Sequence, residues 1–313
     1  MTALPPTVDA KPDGGRQRSA RVFWSQFVYI ATGNPVTLIA FSLFLMIVTI
    51  AIFGPALAPY DPLESNAANA LKPPSWDHWF GTDNVGRDVF SRVLVATRLD
   101  LLISITAVAI SFVVGGFLGM LAGYYGGWWD RLVGRMVDTI MAFPLFVLAM
   151  GIVAAAGNTV ENIVYATAII NVPFYARVAR AEVNVRRNAG YVLAAKLAGN
   201  SDIRVMALHV FPNALPPMMV QVSLNMGWAI LNAAGLSFIG LGVQPPTAEW
   251  GIMVAEGANY IVSGEWWMAI FPGAALMLAV FTFNLMGDGE RHCPRDRIGI
   301  PVGQPGRNSR GCR

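Results

Sequence analysis

Long uncharged stretches dominate the chain. Six of them contain no Asp, Glu, Lys or Arg, and they cover residues 22–60, 101–129, 139–160, 162–176, 205–248 and 266–287. A helix needs about 20 largely apolar residues to cross the hydrocarbon core of a bilayer. The pattern therefore predicts six membrane-spanning helices, at about 36–57, 101–123, 136–156, 159–177, 214–234 and 267–287.

Two of the stretches have unusual lengths. The fourth is short, so its span is expected to place Glu161 and Arg177 at the two membrane interfaces. The fifth is long enough for two spans, but its last part, LSFIGLGVQPPTA at 236–248, is dense in Gly and Pro. Such a segment cannot keep its backbone hydrogen-bonded while it is exposed to lipid. We expect one span there, followed by a loop or a re-entrant segment.

The first apolar segment, 36–57, is longer than the apolar region of a cleaved signal peptide. We therefore expect it to remain as the first helix. Residues 1–33 and 290–313 are polar and contain Pro, Gly and Arg, which predicts two disordered tails.

The composition supports a membrane protein. Hydrophobic residues make up 55% of the chain, charged residues only 13%, and the mean hydropathy is +0.50. A soluble domain has about 25% charged residues. Cys293 and Cys312 could pair in principle, but nothing else supports a disulfide framework. The three lysines are too scattered for nucleic-acid binding. The predicted fold class is an all-α integral membrane protein.

The distribution of Lys and Arg predicts the orientation of the helices. If the N-terminus is cytoplasmic, the cytoplasmic segments hold 18 of the 22 basic residues. Basic residues are enriched in cytoplasmic loops. With six spans, both termini would then be cytoplasmic.

The segment between the fourth and fifth spans, 178–213, is predicted to lie on the cytoplasmic side. Its apolar positions near 192–198 have helical spacing, and Gly199 is expected to end that short helix. Residues 200–202 are suitable caps for a second short helix over about 203–210. Pro212 and Asn213 then mark the start of span five. Two such helices would form a firm surface that another protein could bind.

These residues carry a specific resemblance. The run YVLAA at 191–195, Gly199, and the run HVFPN at 209–213 resemble the "EAA" motif of ABC importer permeases, in the form found in the dipeptide/oligopeptide branch. Other segments are similar in the same order: FGTDNVGRDVFSR at 80–92, WDRLVGRMVDTIMAFP at 129–144, LSFIGLGVQPPTAEWG at 236–251 and NLMGDG at 284–289. The resemblance covers about residues 30 to 289. Leu193 stands where the general motif has an acidic residue, and the tail after Gly289 departs from the family pattern.

The resemblance implies a type I importer permease of the C-type, with no catalytic residue, cofactor or metal of its own. The sequence contains no G-x-x-x-x-G-K-[ST] phosphate loop, so ATP and Mg²⁺ would be bound by partners. The implied partners are a homologous permease, two ATP-binding subunits and an extracytoplasmic peptide-binding protein, in the bacterial inner membrane. The residues implied to couple the permease to the ATPase are Tyr191, Ala194, Ala195, Gly199, His209, Pro212 and Asn213.

Several other residues have ordinary structural interpretations. Small residues recur every fourth position in span two, which predicts close packing against a helix of the same subunit or of the partner permease: Ser111, Gly115, Gly119 and Gly123. Asp138 is expected to pair with Arg131 or Arg135 at the interface. Four glutamates are expected to be solvated loop charges, and four tryptophans to be interfacial anchors: Glu161, Glu249, Glu256, Glu265, Trp128, Trp129, Trp266 and Trp267.

Three alternatives stay open. The same machine could import nickel chelates, glutathione or another small solute. A proton-coupled secondary carrier would need titratable residues at mid-bilayer and inverted repeats, and the sequence indicates neither. A membrane-embedded enzyme would need a catalytic constellation in the bilayer, whereas His78, His209 and His292 fall in predicted loops.

Overall fold

The computed structural model describes residues 35–291, and this part of the chain is helical with no strand longer than a single bridge. The predicted tail at 1–33 lies outside the described residues, and so does the predicted tail at 290–313 except for residues 290 and 291, which are helical. The α-helices, in chain order, are α1 (Pro35–Leu57), α2 (Val89–Tyr125), α3 (Gly127–Met141), α4 (Leu145–Ala156), α5 (Val160–Arg186), α6 (Gly190–Leu197), α7 (Asp202–Val205), α8 (Phe211–Phe238), α9 (Trp250–Ala258) and α10 (Trp267–Arg291).

The helices agree with an integral membrane protein. Among the described residues, α1, α2 and α10 are long and apolar enough to cross a membrane, and α3 with α4 forms a fourth crossing if the bent pair is one span. The all-α class is thus confirmed. The count of six crossings stays a prediction.

The third predicted span is broken. The chain bends by 87° between α3 and α4, at a break that contains Phe143 and Pro144. A proline disfavours helical conformation in the residue before it, which explains where the helix ends. Residues 127–135, predicted to lie in a loop, instead form most of α3, with Val133 and Val137 buried and charged residues on the other face.

The fourth and fifth predicted helices are longer than expected. Helix α5 passes through Pro173 and continues to Arg186, nine residues beyond the predicted end of the span. Helix α8 begins at Phe211 and follows directly after α7 and a π-helical turn at Met206–Val210. The region after α8 is a loop and then the short α9, which packs against α8 and α10 with Trp250 and Met253 buried.

The core of the bundle is the contact between α2 and α5. A Cβ atom added at Gly115 would lie 2.5 Å from the carbonyl oxygen of Val172 and 2.8 Å from Cβ of Tyr175. One turn earlier, the Ser111 hydroxyl donates a 3.0 Å hydrogen bond to the carbonyl of Ala168. Gly119 and Gly123 face the same helix further along. The small-residue stripe therefore brings two helices of this one chain into backbone contact.

Candidate functional site

The segment 190–210 consists of α6, a turn at Gly199, α7 and the π-helical turn. Gly199 has φ +83°, a left-handed conformation that glycine adopts without a Cβ penalty, and it ends α6. Asn200 supports the turn by donating from its side chain to the carbonyl of Ala195 at 2.9 Å. The second helix was predicted to be separate from span five, but α7, the π turn and α8 run on without a gap. A displacement of α7 is therefore passed directly to α8.

An apolar core lies under the 190–210 segment. Val192 and Ala195 of α6 pack with Val205, Met206 and Val210. The same cluster includes Tyr124 of α2, Val183 of α5 and Ala214 of α8, and all of its members are buried. Because three long helices share one core with it, the segment is held as part of the bundle.

A polar contact fastens the segment to α2. The Tyr124 hydroxyl donates to Oδ1 of Asp202 at 2.6 Å, and Nζ of Lys196 lies 3.4 Å from the same oxygen and 4.7 Å above the Tyr124 ring. The Tyr124 hydroxyl, followed by Lys196, lowers the pKa of Asp202, and the contact with Tyr124 raises the pKa of Lys196. Both groups are therefore charged at neutral pH.

The outer face of the segment carries several exposed large apolar side chains among charged ones. Leu197 is 89% exposed, Ile203 72% and Leu208 59%. Of the residues predicted for coupling, Tyr191, Ala194, Gly199, Pro212 and Asn213 are on the surface, His209 is half-buried and Ala195 lies in the core. Asn213 donates to the carbonyl of His209 at 2.7 Å, which joins the two ends of the HVFPN run.

Buried charges gather at the opposite end of α2. Asp83 and Glu256 flank Arg87 and Arg92, with Nε of Arg87 2.6 Å from Oδ2 of Asp83 and its Nη2 3.6 Å from Oε2 of Glu256. Arg92, 1% exposed, also donates to the carbonyls of Pro62 and Pro246. Glu256 was predicted to be a solvated loop charge, and this was wrong. The arginines tie the 58–88 loop and α9 to the start of α2.

Glu249 was likewise predicted to be solvated, but it is fully buried. Its two oxygens accept hydrogen bonds from the N–H groups of Gly251 and Ile252, each at 2.8 Å, and so cap α9. Its carboxyl also faces the carboxyl of Asp100 on α2 within hydrogen-bonding reach. Burial raises the pKa of Glu249, and the hydrogen bonds to it oppose that rise.

Two further expectations were wrong in detail. Asp138 pairs with Arg177 of α5 at 3.2 Å and not with Arg131 or Arg135 of its own helix. Trp267 was expected at the membrane interface, but it is 7% exposed and its Nε1 donates to the carbonyl of Thr82 at 3.1 Å. Trp128, Trp129 and Trp266 are exposed.

Comparison with known proteins identifies the family of this chain. Residues 115–289 match the family described as binding-protein-dependent transport system inner membrane component. The chain belongs to this family. The match runs from Gly115 in the stripe through the 190–210 segment to Gly289 near the end of α10. Residues 23–74 of this inner membrane component also match the N-terminal TM domain of oligopeptide transport permease C.

Individual relatives match most of the length of this chain. It is 44% identical to the probable D,D-dipeptide transport system permease protein DdpC of Escherichia coli K12, over 88% of this chain and 92% of that protein. It is 42% identical to the dipeptide transport system permease protein DppC of Alkalihalophilus pseudofirmus, over 82% and 84%. It is 38% identical to the glutathione transport system permease protein GsiD of Pectobacterium atrosepticum, over 88% and 92%.

Sequence reasoning missed the most exposed large apolar side chains of the 190–210 segment. Leu197 and Ile203 were not among the predicted coupling residues, because motif similarity selects small and polar positions. A signal was present: Val192 and Ala195 define the buried face of α6, and Leu197 lies off that face. Large apolar residues out of phase with the buried face indicate a surface that another protein covers.

Glu249 gives a prediction for the inner membrane component. We expect Glu249→Ala to lower the free energy of unfolding by about 3 kcal/mol, because two buried N–H groups lose their acceptors and a cavity is left. Glu249→Gln should cost less, since an amide can accept from one N–H and donate to Asp100. Because folding raises the pKa of Glu249, its contribution to the free energy of unfolding is fully present below pH 4.5, the ordinary pKa. That contribution is lost as the pH rises from 4.5 through the raised pKa.

Thermal unfolding of the detergent-solubilised inner membrane component across pH tests this prediction. The Gln variant should show a flatter pH dependence than the wild type. Equal stability of the Ala and Gln variants would contradict the capping role.

Proposed function

We propose that this chain is the C-type permease subunit of an ATP-driven ABC importer for dipeptides and oligopeptides. It would form the translocation pathway with a homologous permease. Two ATP-binding subunits would bind the 190–210 segment, and an extracytoplasmic peptide-binding protein would deliver the cargo. Both termini would be cytoplasmic, in agreement with the distribution of Lys and Arg.

The observation that supports this proposal best is the 190–210 segment. It exposes large apolar side chains on the outside, as expected of a surface covered by a partner. It is also packed on α2, α5 and α8 through one buried core, so it cannot move alone. A partner that changes shape on binding ATP would move these three helices together. ATP shifts the equilibrium between the two states only by its differential affinity for them.

The peptide cargo is supported by the relatives. Two of the three relatives described above are named for dipeptides and the third for glutathione, itself a small peptide. The match of residues 23–74 to the N-terminal region of an oligopeptide transport permease agrees with a peptide cargo.

Uptake by the strain of origin tests the proposed cargo. We expect deletion of this chain to abolish accumulation of a labelled dipeptide, and expression of the wild-type chain to restore it. Unlabelled dipeptides should compete with the label, whereas nickel chelates should not, and glutathione should compete only weakly. Normal dipeptide uptake in the deletion strain, combined with lost uptake of nickel or glutathione, would contradict a dipeptide cargo.

A further inference from the structure

A polar cleft lies where α2, α3 and α5 meet, at the same end of the bundle as the 190–210 segment. It has a volume of about 350 Å³ and is lined by residues 122, 123 and 125–127 at the junction of α2 and α3, and by Asp130, Arg180, Asn184 and Arg187. Gly126 and Gly127 have φ values of +67° and +55°, so the chain turns there without side chains that would fill the cleft. Its walls are polar groups and backbone.

The charges of the cleft favour an anion. Arg180 forms a bidentate ion pair with Asp130, with Nε 2.5 Å from Oδ1 and Nη2 2.7 Å from Oδ2. These two charges therefore offset each other. Arg187 donates to the carbonyl of Gly123 at 3.3 Å, and in the described part of the chain no carboxylate lies within ion-pair distance of it. One guanidinium charge is therefore left uncompensated in the cleft. Guanidinium groups bind phosphate oxygens well.

The surroundings place the cleft at a membrane interface. Helix α3 packs Val133 and Val137 against α2 and α5, and it exposes Leu132 and Met136 beside charged residues, the mixture typical of a helix at a bilayer surface. Trp128 and Trp129, which follow Gly127 of the cleft in the chain, are 60% and 42% exposed with their rings edge-to-face at 5.3 Å. Exposed tryptophans sit preferentially at the headgroup level of a bilayer.

We propose that this cleft binds the phosphate of an anionic phospholipid headgroup, with Arg187 as the main contact. Arg180 and Asn184 form the sides of the site. The acyl chains of the lipid would leave the cleft past Trp128 and Trp129 into the bilayer. Basic pockets between membrane helices are a common form of lipid recognition.

Asn184 and Asn188 offer a matched pair of variants. Both are exposed near the C-terminal end of α5, but Asn184 lines the cleft and Asn188 does not. Asn184→Glu therefore adds a negative charge inside the site, and Asn188→Glu adds the same charge just outside it. Arg187→Gln removes the positive charge directly.

The test uses the full chain, purified in detergent with the subunits that co-purify. It is titrated with dioctanoyl-phosphatidylglycerol, dioctanoyl-phosphatidylcholine or inorganic phosphate, and native mass spectrometry counts the molecules bound. We expect phosphatidylglycerol to bind in preference to phosphatidylcholine. Arg187→Gln and Asn184→Glu should each weaken that binding about fivefold, the usual effect of one charge at a membrane surface, while Asn188→Glu leaves it unchanged.

Three results would overturn the proposal: equal binding of the two lipids, equal losses in Asn184→Glu and Asn188→Glu, or displacement of phosphatidylglycerol by millimolar inorganic phosphate. The last would assign the site to free phosphate. Because Asn184 and Asn188 are on the surface, their variants keep the test valid even if Arg187→Gln fails to fold. The readout is independent of cargo and of ATP, so it succeeds or fails separately from the proposed transport function.

Discussion

Replacing Leu197 with aspartate is expected to abolish ATP-driven uptake by the importer while the permease itself remains folded and inserted. Leu197 is 89% exposed on α6, so the substitution removes nothing from the core of the subunit. A carboxylate at this position would be desolvated without a partner in the proposed contact with the ATP-binding subunits. Interface positions of this kind cost about 2 kcal/mol or more when they are disrupted.

The measurement combines uptake of labelled dipeptide with co-purification of the ATP-binding subunits. Val262→Asp is the matched control, because Val262 is 96% exposed but lies in the loop after α9, at the opposite end of the bundle. The control should keep the ATP-binding subunits, and Leu197→Asp should lose them. Wild-type uptake by a well-expressed Leu197→Asp variant would refute the coupling role of the 190–210 segment.

Two other substitutions in this segment are less informative for physical reasons. Ala195 is 9% exposed within the core of the segment, so Ala195→Asp would unfold it locally and lose activity for that reason. A Cβ at Gly199 meets no atom within 4 Å. A bulky residue there would therefore destabilise the fold only through its left-handed backbone conformation, by about 1–2 kcal/mol. Leu197 changes the outer surface alone.

Gly115→Leu is expected to prevent stable folding of the permease. A Cβ at this position would lie 2.5 Å from the carbonyl oxygen of Val172, which is backbone and cannot rotate away. Helices α2 and α5 would have to separate, and the Ser111 hydrogen bond to Ala168 would be lost with them. Overpacking usually costs about 1–3 kcal/mol, and a clash with a helix backbone should exceed that range.

Gly151→Leu is the control for this prediction, because Gly151 also lies within a helix but a Cβ there meets no atom within 4 Å. Samples are heated to a series of temperatures, and size-exclusion chromatography then measures the monodisperse protein that remains. We expect the control to have the same midpoint temperature as the wild type. Gly115→Leu should give little monodisperse protein. A midpoint for Gly115→Leu within a few degrees of the wild type would show that α2 and α5 are not packed as described.

The sequence predicts those features that repeat along one helix. The spacing of Ser111, Gly115 and Gly119 is regular, so a close helix contact follows from it, although the partner helix does not. The 190–210 segment could be placed because Gly199 breaks a short apolar pattern. In both cases the signal is local in the chain.

Features that join distant residues could not be predicted in this way. Glu249 looks like a solvated loop charge because its neighbours are Pro, Thr and Ala, and its burial depends on α2, some 150 residues earlier. Asp138 has two arginines nearby in sequence, yet α5 supplies the arginine that binds it. The first part of α3 was missed because a count of uncharged stretches cannot detect a helix that carries charged residues on one face.

Site-specific photocrosslinking from residue 197 in the assembled transporter tests the central claim most directly. A photoreactive amino acid at position 197 should crosslink to an ATP-binding subunit, and the yield should change when ATP is added. The same amino acid at position 262 should give no such product. Crosslinking to the ATP-binding subunit from 262 and not from 197 would place the 190–210 segment on the wrong side of the membrane and contradict the proposed coupling.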